Sequence, residues 1–295
     1  MTVLLHLAGL YAGPFSAIFN LLIALPAAFV HMVCGAWIGA GAIVIAAGGI
    51  FANNGLSPML GYLLQFGLGS FLLPFLLRRR FSWDRAVIAT AAVVIAISVG
   101  SLAAYTAWEG KQLGPVIDSY IQQEVDTATH LTLQAKLPAD QMDEVKSMIG
   151  QMGAFLKIAY PSLGFLVIAG ILLLQVVMLA ALSRGRYVWD QRPFQFWKAP
   201  ELLIWALIIG GFAFFLGTGI TRTLGVNLLI ALLPIYFLQG LAVVSHFFWR
   251  RRVPPAFRTF GYLLLTLLNP FPLIVTGIGI FDLWADFRKP KVKKT

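Results

Sequence analysis

The sequence predicts an all-α protein, a polytopic bundle of transmembrane helices, and three observations carry that prediction. Of 295 residues, 59% are hydrophobic and only 12% charged, against the rough quarter of charged residues usual in a water-soluble domain. The mean hydropathy is +0.82. The apolar residues also fall in runs of about 20, the length that crosses a hydrocarbon core roughly 30 Å thick. On this reading the chain holds about eight spans, a C-terminal broken helix or hairpin, and one helical extracytoplasmic loop.

No Lys, Arg, Asp or Glu precedes Arg78, so turn chemistry must divide the first quarter. Gly13-Pro14 and Pro26 mark interruptions, because proline removes a backbone donor and disturbs the preceding turn. Trp37 marks an interface, and Asn53-Asn54-Gly55 a polar turn. Leu4 to Phe51 is therefore two long spans or three short ones; three fit better, at Leu4 to Leu22, Ile23 to Cys34 and Trp37 to Phe51. The start lacks the basic region and cleavage site of a signal peptide, so the first span is expected to stay in the mature protein. Leu56 to Leu77 is closed by Arg78-Arg79-Arg80, Trp83 and Arg85, and Ala86 to Ala107 by Trp108 and Glu109. Ala159 to Leu182 is followed by Arg184, Arg186, Trp189, Arg192, Trp197 and Lys198; Leu202 to Ile220 by Thr221-Arg222; Leu228 to Trp249 by Arg250-Arg251-Arg252. Phe260 to Leu283 is interrupted by Asn269-Pro270-Phe271-Pro272 and leads into the basic tail Arg288, Lys289, Lys291, Lys293 and Lys294.

Positive residues in short loops face the cytoplasm. The clusters at 78–85, 184–198 and 250–258 are separated by even numbers of spans, so all three share that side. A single last span would put the basic tail outside; a hairpin of two half-helices, entering and leaving on the cytoplasmic face, keeps it inside. Such broken geometry survives only where protein covers the free backbone groups. The same counting places 109–157 outside. There the acids Glu109, Asp118, Glu124, Asp126, Asp140, Asp143 and Glu144 outnumber Lys111, Lys136, Lys146 and Lys157. Ile117, Ile121 and Val125 recur every four residues, and Met142, Val145, Met148, Ile149, Met152 and Phe155 follow helical spacing. Pro138 and Asp140 suit a first helical turn. The loop either caps the bundle or lies on the lipid surface.

Ionisable groups inside lipid are expensive and mark ion or substrate paths. Only His6, His31, His246 and Asp282 fall within the spans, which disfavours a buried carboxylate relay. Neutral polar residues there or beside them are Asn20, Gln65, Gln175, Asn227, Gln239 and Asn269, each open to helix-to-helix hydrogen bonding or to lining a pocket. With His31, these are the candidate ligand contacts. His31 and Cys34 share a helix face, but two ligands do not make a metal site. The single cysteine excludes an internal disulfide. No catalytic or phosphate-binding motif is present, so no cofactor is implied. Gly9 and Gly13, Gly35 and Gly39, and the patch from Gly39 to Gly49 suit close helix packing, within the chain or in a homo-oligomer.

Two segments resemble the YybS-like family of predicted bacterial membrane proteins. The first runs from Ala24 to Val30 into Gly35. The second runs from Gly277 to Lys289 and is similar to a closing Gly-x-x-Asp-x-x-x-Asp-Phe-Arg pattern, here Gly279, Asp282, Asp286, Phe287 and Arg288. That family is in turn similar to the substrate-capturing S-components of energy-coupling-factor transporters, which have six spans with both ends inside. The resemblance implies that residues 1–186 are a six-span bundle, with the outer loop on the side that receives ligand. Residues 187–295 are then additional spans, the broken segment and a cytoplasmic tail. No ligand-binding position of that family is matched here.

Together these readings describe a multi-pass protein of the bacterial inner membrane. It is expected to bind a small solute or lipid as a subunit of a transport system without its own ATPase, energised by partner subunits. The alternative is a scaffold or assembly protein that docks partners through the outer loop and the tail. The basic balance, 22 Lys+Arg against 12 Asp+Glu, is accounted for by topology and calls for no nucleic acid.

Overall fold

The computed structural model describes residues 1–11, 16–134, 138–183 and 193–289, and every regular element among them is helical. Gly13-Pro14, Lys136, the basic residues Arg184, Arg186 and Arg192, Trp189, and the tail lysines Lys291, Lys293 and Lys294 lie outside the described residues. The chain divides into two compact units, Met1–Gly153 with Gly164–Gln191, and Ala154–Leu163 with Arg192–Thr295.

The first unit opens with α1 (Thr2–Tyr11), α2 (Ser16–Leu22) and α3 (Leu25–Cys34). The break between α2 and α3 falls at Ile23-Ala24, and Pro26 sits in the first turn of α3, where its missing N–H costs nothing. Next comes α4 (Ala36–Asn54), which stops at Gly55 in a left-handed conformation, φ 86°, with its N–H donated to Phe51. Then α5 (Leu56–Tyr62), a π-helical turn (Leu63–Gly67) and α6 (Leu68–Arg78) run on as one 23-residue apolar helix. It closes with Arg80 left-handed, φ 63°, while the Arg79 and Phe81 N–H groups cap the Phe75 and Leu76 carbonyls. Beyond it lie α7 (Trp83–Trp108), α8 (Leu113–Gln134) and α9 (Ala139–Ser183), whose stretch Ala154–Leu163 belongs to the second unit. One core joins Ala28 and Met32 of α3, Leu73 and Leu77 of α6, Val87 and Ala91 of α7, and Leu172 and Leu179 of α9. Trp37 and Trp108, at ends of α4 and α7, are each 92% exposed.

The second unit contains α10 (Leu203–Leu216), α11 (Ile220–Arg250), α12 (Pro255–Leu267) and α13 (Phe271–Ala285), with a 3-10 turn at Phe194–Phe196. Five of the described helices are long and apolar enough to cross a membrane, or six if α12 and α13, bent by 98° about residues 268–270, count as one broken span. The chain is thus membrane-embedded. The shorter apolar helices, residues 18–34 and α10, fall below that length, so the count by length is lower than the eight read from the sequence.

Two boundaries differ from expectation. The second outer stretch is not a separate helix, because α9 runs 45 residues without a stop. Its only interior proline, Pro161, leaves the helix intact for a reason supplied 66 residues away. The Asn227 side chain accepts from the Ser162 N–H at 3.1 Å and donates to the Ile158 carbonyl at 2.8 Å. A regular helix would join those two backbone groups to each other; here an amide from α11 completes the ladder that proline opens. The other difference is α11, which starts eight residues early. The α10–α11 turn is set by Gly219 at φ 54°, and Gly225 lets α11 lie against the backbone of residues 210–214. Replacing Asn227 by leucine strands both backbone groups of α9. A cost of about 1–3 kcal/mol is expected, read as a lowered thermal midpoint in detergent; an unchanged midpoint would remove Asn227 from this role.

Candidate functional site

The π-turn widens one face of the α5–α6 helix, and beside it lies an open apolar groove of about 380 Å³. Its walls are Ala40 and Ile43 of α4, Leu64 and Gly67 of the turn, Phe71 of α6 and Ile97 of α7. π-Turns inside α-helices recur at functional sites because the extra residue breaks the packing register. At Gly67 the turn packs closely on α4: a Cβ there would stand 3.3 Å from an Ile43 side-chain carbon.

Behind the groove sits His31. The Phe71 ring, part of the wall, lies 4.9 Å from the imidazole. His31 is fully buried, and neither ring nitrogen has a hydrogen-bond partner. Gly39 packs directly on its Cβ, which fixes α3 against α4. The end of α3 is held by Arg78, whose guanidinium donates to the Met32 carbonyl at 2.9 Å and to that of His31 at 3.4 Å. Thr90 Oγ1 on α7 and Gln175 Oε1 on α9 are also buried without partners, and both helices contribute to the core that Met32 joins. An unpaired polar atom in such a place costs about 1–3 kcal/mol, and in lipid no water offsets it.

The second unit gathers its polar groups differently. Gly240 of α11 and Gly279 of α13 bring two backbones into contact, since a Cβ on either would overlap a carbonyl oxygen of the other helix, Val275 or Tyr236. Beside this crossing, Asp282 is fully buried and forms an ion pair with Arg288 at 2.5 Å. Gln239 Nε2 donates to Asp282 at 3.2 Å, while its Oε1 accepts from the Ala199 N–H at 3.0 Å. Arg288 also donates to the carbonyls of Trp197, at 2.7 Å, and Gln195, at 3.2 Å. The chain reverses at Asp286, left-handed at φ 39°. Its partly buried carboxylate accepts from Lys289 at 3.0 Å and Lys198 at 3.1 Å, and those two bonds, Lys289 first, hold it below the ordinary aspartate range.

Of the sequence candidates, Gln239, Asp282 and Arg288 are therefore brought together, with Asp286 one step away. His31 and Gln175 are buried in the first unit. Asn227 is occupied by the α9 backbone, and Asn20, Gln65 and Asn269 are exposed. His31 and Cys34, expected on one face, separate into buried and exposed positions. The groove itself had no sequence signal, because its walls come from three separate spans and a π-turn with no distinctive composition.

Helices of this length and apolarity define an integral membrane protein. The chain belongs to the DUF2232 family of predicted membrane proteins, whose model matches residues 1–283. No curated protein and no solved structure matches it.

Proposed function

We propose that the protein captures a small, neutral, largely apolar solute or lipid in the groove of its first unit, as the substrate-binding subunit of a transport system whose energy comes from partner subunits. The observation that carries this reading is His31: a fully buried imidazole with two unpaired nitrogens, behind the aromatic wall of an open apolar groove. A ligand with an apolar body and one hydrogen-bonding head satisfies both features once Phe71 turns aside. The π-turn supports it further. The likeness of residues 1–186 to an S-component, and of the family to YybS-like proteins, belongs to the same proposal.

The topology proposed with it has about eight spans in the bacterial inner membrane. In it α10, about 21 Å long at 1.5 Å per residue, crosses together with the turn that follows, and α12–α13 form a re-entrant hairpin. Support for the hairpin comes from Arg288, which reaches the segment whose Phe196 ring lies 5.6 Å from His246 and 5.8 Å from Trp249. The tail thus returns to the end of α11 that carries Arg250. A docking role for the outer helices has its own support, since Tyr120, Leu131, Met148 and Met152 are exposed there.

The test is mass spectrometry of small molecules retained by protein purified with native lipid. The wild type is expected to retain a ligand that His31→Leu holds about tenfold less, the worth of one buried hydrogen bond, and that Leu64→Trp excludes by filling the groove. No retained molecule, or equal retention by all three, would overturn the reading. Loss of a protein partner on deleting 116–152, with no ligand found, would favour docking.

A further inference from the structure

We propose that the end of the second unit formed by Arg250, Arg251 and Arg252, Lys198 and Lys289 is a headgroup site for an anionic phospholipid. The charge balance is the first support. Asp282 is consumed by Arg288, and Asp286 is shared between Lys198 and Lys289. Among the described residues no acid pairs with Arg250, Arg251 or Arg252, all of which are exposed. The three exposed arginines, with one net positive charge left on the Lys198–Asp286–Lys289 group of the same unit, make up the kind of basic surface that binds an anionic leaflet.

The cluster is also built rather than merely present. Arg252 is left-handed, φ 53°, and the Arg252 and Val253 N–H groups are tied to the Trp249 and Phe248 carbonyls. That cap fixes where the three guanidiniums leave the helix. In the same unit His246 Nδ1 and Arg288 Nε are buried without partners, in residues over nine-tenths buried. Arg250 and Arg288 are both close enough to act electrostatically on His246.

The occupant is a lipid rather than a soluble anion because apolar surface continues from the charge. Trp249 and Phe196 are about half exposed beside the arginines, and α12 begins three residues beyond Arg252 with Phe257, Phe260, Leu263 and Leu267 exposed. Headgroup phosphate on the cations and acyl chain along α12 use both surfaces at once. Indoles at this depth fit the same placement.

The experiment reconstitutes the full chain into bilayer discs of phosphatidylcholine mixed with phosphatidylglycerol and counts retained lipids by native mass spectrometry. The wild type is expected to retain phosphatidylglycerol preferentially, and Arg251→Gln/Arg252→Gln to lower that preference about twenty-five-fold, a factor of about five for each charge. Arg79→Gln/Arg80→Gln, the same charge loss at the end of α6, is expected to leave it unchanged. Labelling of the single cysteine, Cys34, by an impermeant maleimide is expected to match wild type in both variants, so that a change in insertion is not mistaken for lost binding. Equal loss in both double variants, no preference in the wild type, or displacement of the lipid by inorganic phosphate at equal concentration would overturn the proposal. Because the site lies wholly in the second unit, a failure of ligand capture at His31 leaves it standing.

Discussion

Replacing Gly279 with valine is expected to part α11 from α13 and to lower stability by roughly 3 kcal/mol or more. Overpacking a side-chain interface usually costs about 1–3 kcal/mol because neighbouring rotamers adjust. At Gly279 the obstruction is backbone: a Cβ would overlap the Tyr236 carbonyl and crowd the Gly240 amide, and neither has a rotamer to change. The two helices must move apart. That displacement lengthens the Gln239–Asp282 hydrogen bond, one turn beyond the crossing, and leaves buried polar groups unpaired as well. Gly277, on the same helix, is the control, since a Cβ there meets nothing within 4 Å. Unfolding titrations in mixed detergent micelles should show a large loss for Gly279→Val and little change for Gly277→Val. Equal losses would mean that general helix effects, and not the crossing, set the stability of this unit.

The division between what the amino-acid sequence revealed and what it hid follows the range of the forces involved. Local chemistry was legible. Runs such as Leu56 to Leu77 appear as helices because apolar length is a local property, and Gly55 and the triple arginines at 78 and 250 end helices where their chemistry says they should. Asp282 and Arg288 were singled out together, six residues apart in one closing motif. What stayed hidden depends on partners far along the chain. Pro161 reads as a breaker until Asn227 is known to complete its ladder. Thr221-Arg222 reads as a helix end, yet those residues occupy the first turn of α11 because Gly217 and Gly219 move the break upstream. Gln239 could not be assigned to Asp282 and Ala199 without the crossing at Gly240. Arg78 looked like a topology marker only, although its guanidinium also closes the end of α3 over His31.

The buried ion pair yields the second large effect, and a double-mutant cycle separates its two components. Arg288→Met removes the one cation that, among the described residues, is bonded to the completely buried Asp282 carboxylate, and Asp282→Leu does the converse to a guanidinium whose side chain is 5% exposed. Each single change strands one charge in a low-dielectric site and should cost about 3–5 kcal/mol. Making both changes removes both charges, and with them most of the penalty; the double variant is therefore expected to be markedly more stable than either single one. Full recovery is not expected. Arg288 also holds the Trp197 and Gln195 carbonyls, and Asp282 accepts from the Phe287 N–H and from Gln239, so those groups lose partners in the double variant at about 1 kcal/mol each. The cycle thus distinguishes a pair kept for its charge from one kept for the backbone it gathers. If the two single losses simply add, Asp282 and Arg288 act independently, and the turn at Asp286 is held by Lys198 and Lys289 alone. If they cancel in large part while the double variant loses its grip on residues 195–197, seen as faster hydrogen exchange there, the pair serves to fasten that segment to the end of α13.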